Sequence, residues 1–284
     1  MGFSFRSDRL ATLYLAQPLN RILQDAGGTA IPILMYHSIS ELPERTCHPY
    51  YETRTSPRVF EEHMKLLFEN GYSAIALNEL PAVMRNGKAA SQSVIITFDD
   101  GYRDFLTHAF PILERYGLKA TVFLVTGMMG SRSSKFNGID FLDWEDIRGL
   151  RKRGVSFGSH TVNHLILKSL QFKEMETEIV DSKREIESRL GEPVEVFSYP
   201  YAFPEGKLGF LGEYFGTLER CGFQAGVTTV IGRARERDNP LALKRLPVNE
   251  YDDAVLFKAK LEGAYDWVHV PQYLRKRCFG WIGE

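Results

Sequence analysis

Short apolar runs alternate along this chain with stretches of helical period. The runs IPILMYHSI, YSAIAL, SVIITF, KATVFLV, VSFGSH, VEVFSYPY, FQAGVTT and LALKRLPV read as strands. They are rich in β-branched and aromatic residues, and turn formers bound most of them. SPRVFEEHMKLLFENG reads as a helix with its own start and stop: Ser56 as N-cap, Pro57 in the first turn and Gly71 beyond the end. LDWEDIRGLRKRG, SLQFKEMETEIVDSKREIESRLG, EYFGTLERCG and DDAVLFKAKLEGAYDWV read as further helices. Strand alternating with helix predicts βα units around a parallel sheet. Strands apolar on both faces fit a sheet covered by helices. A closed or nearly closed α/β barrel fits the length, with an open doubly wound sheet as the alternative. Residues 1–28 read as a helical arm, 29–265 as the catalytic domain, and 266–284 as a basic, aromatic tail. That tail could touch a surface or partner, or pack back onto the barrel.

Composition narrows the class. The chain has 284 residues, 44% hydrophobic and 25% charged, which suits a soluble globular protein of one large domain, or at most two. Its net charge of −1 provides no bulk field for nucleic acid. Cys47, Cys221 and Cys278 match neither a disulfide framework nor a thiolate metal site, so a reducing compartment is the simpler expectation. Arg6, Asp8 and Arg9 interrupt the start of the chain, which lacks a signal peptide's apolar core, and a cytoplasmic location is expected. No apolar run reaches the roughly 18 residues of a membrane span.

The chemistry gathers at strand ends. His37 lies near the end of the first run, Asp99 and Asp100 follow SVIITF, His160 ends VSFGSH, and Tyr199 and Tyr201 end VEVFSYPY. In a parallel barrel these ends share one face, where active sites are built. Two adjacent buried carboxylates repel each other, which demands a reason. His160 and His164, four apart, have the spacing of a metal-ligand pair, and a divalent cation held with an aspartate would relieve the repulsion.

TFDDGY, SHTVNH and FSYPYAFPEG, in that order, make the chain resemble the polysaccharide deacetylase family, the NodB-type carbohydrate esterase family four. The resemblance covers residues 31–248. It implies a distorted (β/α) barrel of about seven strands and metal-dependent removal of acetyl groups from sugars. The metal is usually zinc, with cobalt or nickel also fitting the ligands. By motif, the resemblance makes Asp99 the catalytic base and Asp100, His160 and His164 the metal ligands. Tyr201 would supply a backbone N–H to the oxyanion.

Three departures matter. The family's motif arginine falls on Ser198, so another group must orient the base; Arg245 in LALKRLPV is the candidate, with a surface cation as the alternative. The late Leu-x-His that supplies the acid is missing. LMYHSI instead resembles the branch acting on biofilm poly-N-acetylglucosamine, whose barrel is circularly permuted, and this implicates His37 as the acid. The family's Asp-x-x-Asp-Trp segment is not evident, which leaves the acetyl-pocket wall unassigned.

The implied partner is an N-acetylated glycan or glycolipid. Against this stand plainer readings. His37 could be a core histidine, Tyr199 a packing aromatic and Trp144 a core or rim residue. His48, His63, His108 and His269 read as solvated or structural, and the KREIE run as a solvated helix face. An inactive carbohydrate-binding barrel and a serine esterase built on GVSFG are the alternative functions.

Overall fold

The computed structural model describes residues 6–23, 30–41, 52–85, 92–130, 135–136 and 139–279. Cys47 and His48 lie outside them. Seven parallel strands form the barrel: β1 (Ile33–Tyr36), β2 (Ser93–Phe98), β3 (Thr121–Leu124), β4 (Ser156–Ser159), β5 (Val196–Ser198), β6 (Ala225–Ile231) and β7 (Leu243–Pro247). Each pairs with the next in sequence, and β1 closes the ring by pairing with both β2 and β7. The open-sheet alternative is thereby excluded. A short strand, Ser73–Ile75, pairs with the first half of β2. The register shifts between β6 and β7, between Val227 and Ile231, which distorts the ring there.

The helices α1 (Pro57–Glu69), α2 (Leu80–Arg85), α3 (Phe110–Arg115), α4 (Trp144–Lys152), α5 (Phe172–Leu190), α6 (Leu208–Arg220), α7 (Ala254–Leu261) and α8 (His269–Phe279) complete the fold. Ser56 caps α1 through its side chain, which accepts from the Val59 N–H. The last expected helix is broken. Gly263 takes a φ of 86° and ends α7, and a short 3₁₀ turn leads into α8.

Every residue of β2 and of β3 is buried, as a sheet covered on both faces requires. The period of two then sorts side chains between the inside and outside of the ring. Ile33, Ile95, Phe123, Val196, Val227 and Leu243 form one buried apolar cluster. A Cβ on Gly158 would sit 2.6 Å from the Phe123 ring, so only glycine leaves room for that aromatic. Two residues further along their strands, Thr97, Ser198 and Arg245 make a polar layer above the apolar one. Asp99, two residues beyond Thr97 and just past the end of β2, tops the stack.

The N-terminal arm docks by its polar side. Arg6 reaches Asp252 Oδ1 at 3.2 Å, Asp8 accepts from the Tyr265 hydroxyl at 2.7 Å, and Asn20 donates to the Glu262 carbonyl at 2.9 Å. Lys260 donates to the other Asp252 oxygen at 2.8 Å. Tyr14, Leu15, Leu19 and Ile22 face outward. The described part of the tail packs back. Gln272 of α8 accepts from the Ile231 N–H and donates to the Thr229 carbonyl, and His269 and Lys276 pair with Glu205. Among the described residues no helix is long and apolar enough to cross a membrane.

Candidate active site

Ladder hydrogen bonds extend past the strand ends and fix two rim residues. The Asp99 N–H donates to the Tyr36 carbonyl at 3.0 Å, and the His160 N–H to the Leu124 carbonyl at 2.9 Å. Beyond Asp99 the chain turns at once: Asp100 has a φ of 72°. Thr161, His164 and Tyr201 are the other non-glycine residues in the left-handed region among the described residues, with φ of 69°, 55° and 56°. Each such residue costs about 1–3 kcal/mol unless its surroundings hold it. All four lie at this rim.

Asp99 and Asp100 have separate partners. Arg245, with no exposed surface, grips Asp99 with both terminal nitrogens, Nη1 to Oδ1 and Nη2 to Oδ2, each at 2.7 Å. Its remaining donors go to the Thr228 carbonyl at 2.9 Å, Thr97 Oγ1 at 3.2 Å and Ser198 Oγ at 3.2 Å. All five N–H groups of the guanidinium are thus used. Burial alone would raise the Asp99 carboxyl, but Arg245 holds it well below the usual carboxylate range. Ser198 leaves space for the guanidinium arriving from β7. The arginine missing from the motif position is therefore matched by one on a different strand.

Asp100 faces the histidines. His160 Nε2 and His164 Nε2 lie 3.6 and 3.5 Å from Asp100 Oδ1, and the three ligand atoms are all within 4.8 Å of one another. These separations are too long for hydrogen bonds. They match donors placed about 2.1 Å from a shared tetrahedral centre, which sit about 3.4 Å apart. His160 Nδ1 lies 2.7 Å from the Ser198 carbonyl, which can only accept. That contact puts the proton on Nδ1 and leaves the Nε2 lone pair toward Asp100. Burial and the neighbouring His160 push His164 down to about 4, so its ring is neutral near pH 7. The Tyr102 hydroxyl donates to Asp100, and burial together with that carboxylate pushes the tyrosine up. This donor set fits a divalent transition metal.

His37 places Nε2 4.0 Å from Asp99 Oδ2, on a partly exposed side chain. The Tyr201 ring lies against His164 with centroids 4.5 Å apart, and its carbonyl accepts from Thr229 Oγ1 at 3.0 Å. Tyr199 is buried against Phe203 and Tyr214, a packing aromatic. His63 is buried between the Tyr36 hydroxyl and the Asp252 carbonyl.

A stretch with Asp-x-x-Asp-Trp spacing does occur, at Asp140 to Trp144, contrary to the sequence reading. It lies upstream of the histidines and has another task. Asp143 caps α4, and Trp144 is buried. Ser156 of GVSFG sits inside β4, paired with Thr121, so the strand–turn–helix elbow of a serine hydrolase is absent there. Glu178 escaped the sequence reading altogether. It is buried on α5 and bonds the loop between the two histidines. Its signal was helical spacing, since it falls on the buried stripe of Met175, Ile179, Ser182 and Ile186.

The polysaccharide deacetylase family pattern matches residues 86–213. Over 233 residues the chain is 33% identical to YxkH of Bacillus subtilis, a protein assigned to the polysaccharide deacetylases, covering 82% of this chain and 76% of that one. It is 25% identical over 200 residues to a poly-β-1,6-N-acetyl-D-glucosamine N-deacetylase of Staphylococcus aureus, 69% of this chain and 67% of the relative. Among solved structures, the Streptococcus pyogenes deacetylase PplD in complex with acetate superposes with a TM-score of 0.72 at 26% identity, over 83% of this chain and 99% of that one. IcaB from Ammonifex degensii shares the fold, with a TM-score of 0.67 at 20% identity over 83% and 97% of the two chains.

Proposed function

Because the chain belongs to the polysaccharide deacetylase family, we propose that it removes N-acetyl groups from an N-acetylhexosamine-containing glycan or glycolipid, releasing acetate and a free amine. The observation that carries this reading is the rim itself: an ionised acid held by Arg245, a histidine 4.0 Å from it, and an Asp-His-His set beside them. The named substrate of the Staphylococcus aureus relative supports the choice of sugar.

Asp100, His160 and His164 would hold the metal, zinc first, with cobalt or nickel also suiting two nitrogens and one oxygen. When bound, such an ion supplies Lewis-acid polarisation of the acetyl carbonyl and lowers the pKa of water. Asp99 takes the proton from the water as its oxygen bonds to the acetyl carbon. Arg245 fixes the orientation of that carboxylate and keeps it ionised. The Tyr201 N–H donates to the carbonyl oxygen as charge builds there. His37 gives a proton to the nitrogen as the C–N bond breaks.

Acetate release from a panel of N-acetylated oligosaccharides tests the activity. No release from any of them would favour a binding barrel without catalysis, and release that resists chelators would argue for metal-free chemistry. Two variants test the roles. Asp100→Ala should lose most of its metal, read by elemental analysis, and full occupancy would sink its assignment as a ligand. His37→Ala should cut turnover by about 10²–10⁴-fold, the range for a lost general acid, with metal content intact. A loss of only a few-fold would move the acid to another rim group.

A further inference from the structure

The loop between the two histidines is clamped from both sides. Thr161 and His164 are both left-handed, a conformation that non-glycine residues do not hold unaided. On the β3 side, the Thr126 N–H donates to the Thr161 carbonyl at 3.1 Å and the Gly127 N–H to the Val162 carbonyl at 2.8 Å. On the α5 side, Glu178 Oε2 accepts from the backbone N–H groups of Val162 at 3.0 Å and Asn163 at 2.8 Å, while Oε1 accepts from Asn163 Nδ2 at 2.7 Å. The loop also ties itself together, since the His164 N–H donates to Thr161 Oγ1 at 3.0 Å. One helical turn on from Glu178, Ser182 Oγ meets Ser159 Oγ at 2.6 Å and secures the strand that leads into the loop.

Glu178 is 6% exposed, and its hydrogen bonds among the described residues go to the Val162 and Asn163 backbone and the Asn163 side chain, with no ion pair to an arginine or lysine among them. Its three hydrogen bonds all end on the two residues midway between His160 and His164. A carboxylate accepting from backbone N–H groups makes charge-assisted bonds, stronger than neutral ones. Their direction matters: they turn the Val162–Asn163 peptides toward α5, which sets where His164 can start.

We propose that Glu178 is a positioning residue for the metal-binding histidines: through the Val162 and Asn163 backbone it holds His164 in the left-handed conformation that brings its Nε2 to Asp100. The proposal rests on the reading of Asp100, His160 and His164 as metal ligands. It predicts that disturbing the loop from either side weakens the metal without unfolding the barrel.

Affinity for Zn²⁺, measured by competition with a chromophoric chelator, and the visible spectrum of the Co²⁺ form are the readouts, both taken without substrate. Glu178→Gln keeps the volume but replaces one accepting oxygen by a donor that confronts an N–H. Zn²⁺ affinity should fall about 10–100-fold, the range for lost outer-shell support, and the Co²⁺ bands should shift. Gly127→Ala works from the opposite side, because its Cβ would lie 2.7 Å from the Val162 carbonyl oxygen. It should lower affinity in the same direction and keeps the test intact if Glu178→Gln does not fold. Glu185→Gln, on the exposed face of α5, should leave affinity unchanged. Wild-type affinity in either loop variant, whatever its melting temperature, overturns the proposal. Failure of the wild-type protein to take up Zn²⁺ or Co²⁺ would instead overturn the metal reading on which it rests.

Discussion

Arg245→Met is expected to cost the fold about 3–5 kcal/mol, because it strips the partner from a buried carboxylate. Asp99 is almost wholly enclosed, and Arg245 answers it at two 2.7 Å contacts. Methionine has similar length and no charge, so packing over Phe123 is largely kept while the electrostatics are lost. Chemical denaturation reads the change directly. The double variant Asp99→Asn/Arg245→Met should recover part of the loss, since it removes the lone charge. A single variant within about 1 kcal/mol of wild type would show that water or another cation compensates Asp99, and the interior layer would need a different account.

Asp99→Asn should cut deacetylation by about 10²–10⁴-fold, the usual worth of a general base. An amide of the same shape cannot take the proton. The metal should stay, because Asp99 is no part of the Asp100, His160 and His164 set. Acetate release and metal content measured on one preparation check both statements. Activity within a few-fold of wild type would place the base elsewhere. Loss of metal together with activity would assign Asp99 to the metal's own shell.

Much of this site was legible in the residues because it is built at strand ends. Strand period and helix caps locate the ends, and the paired acids and spaced histidines mark which ends matter. What was illegible depended on inside and outside. Lys244 and Arg245 are adjacent cations in one strand, and nothing local says that the second is buried. An arginine is mostly exposed unless paired, and the pairing spans 146 positions. Glu178 looked like any glutamate of a charged helix. Its neighbours by helical spacing are apolar and buried, and this was the available sign. The arm's helical pattern did not say which face would dock. Leu15, Leu19 and Ile22 are exposed, while Arg6, Asp8 and Asn20 bond to Asp252, Tyr265 and Glu262.

The ring is closed by the first strand meeting the last, and this sets an order of events during synthesis. His37 emerges from the ribosome early and Arg245 late, after the strands carrying both acids and both histidines. Until β7 is made, Asp99 lacks the guanidinium that holds both of its oxygens, so burying it before then costs more. Seating the last strand therefore completes the wall and neutralises the acid in one act. A nascent or truncated chain that stops short of Arg245 keeps the motifs that mark this family but not the buried ion pair beneath them.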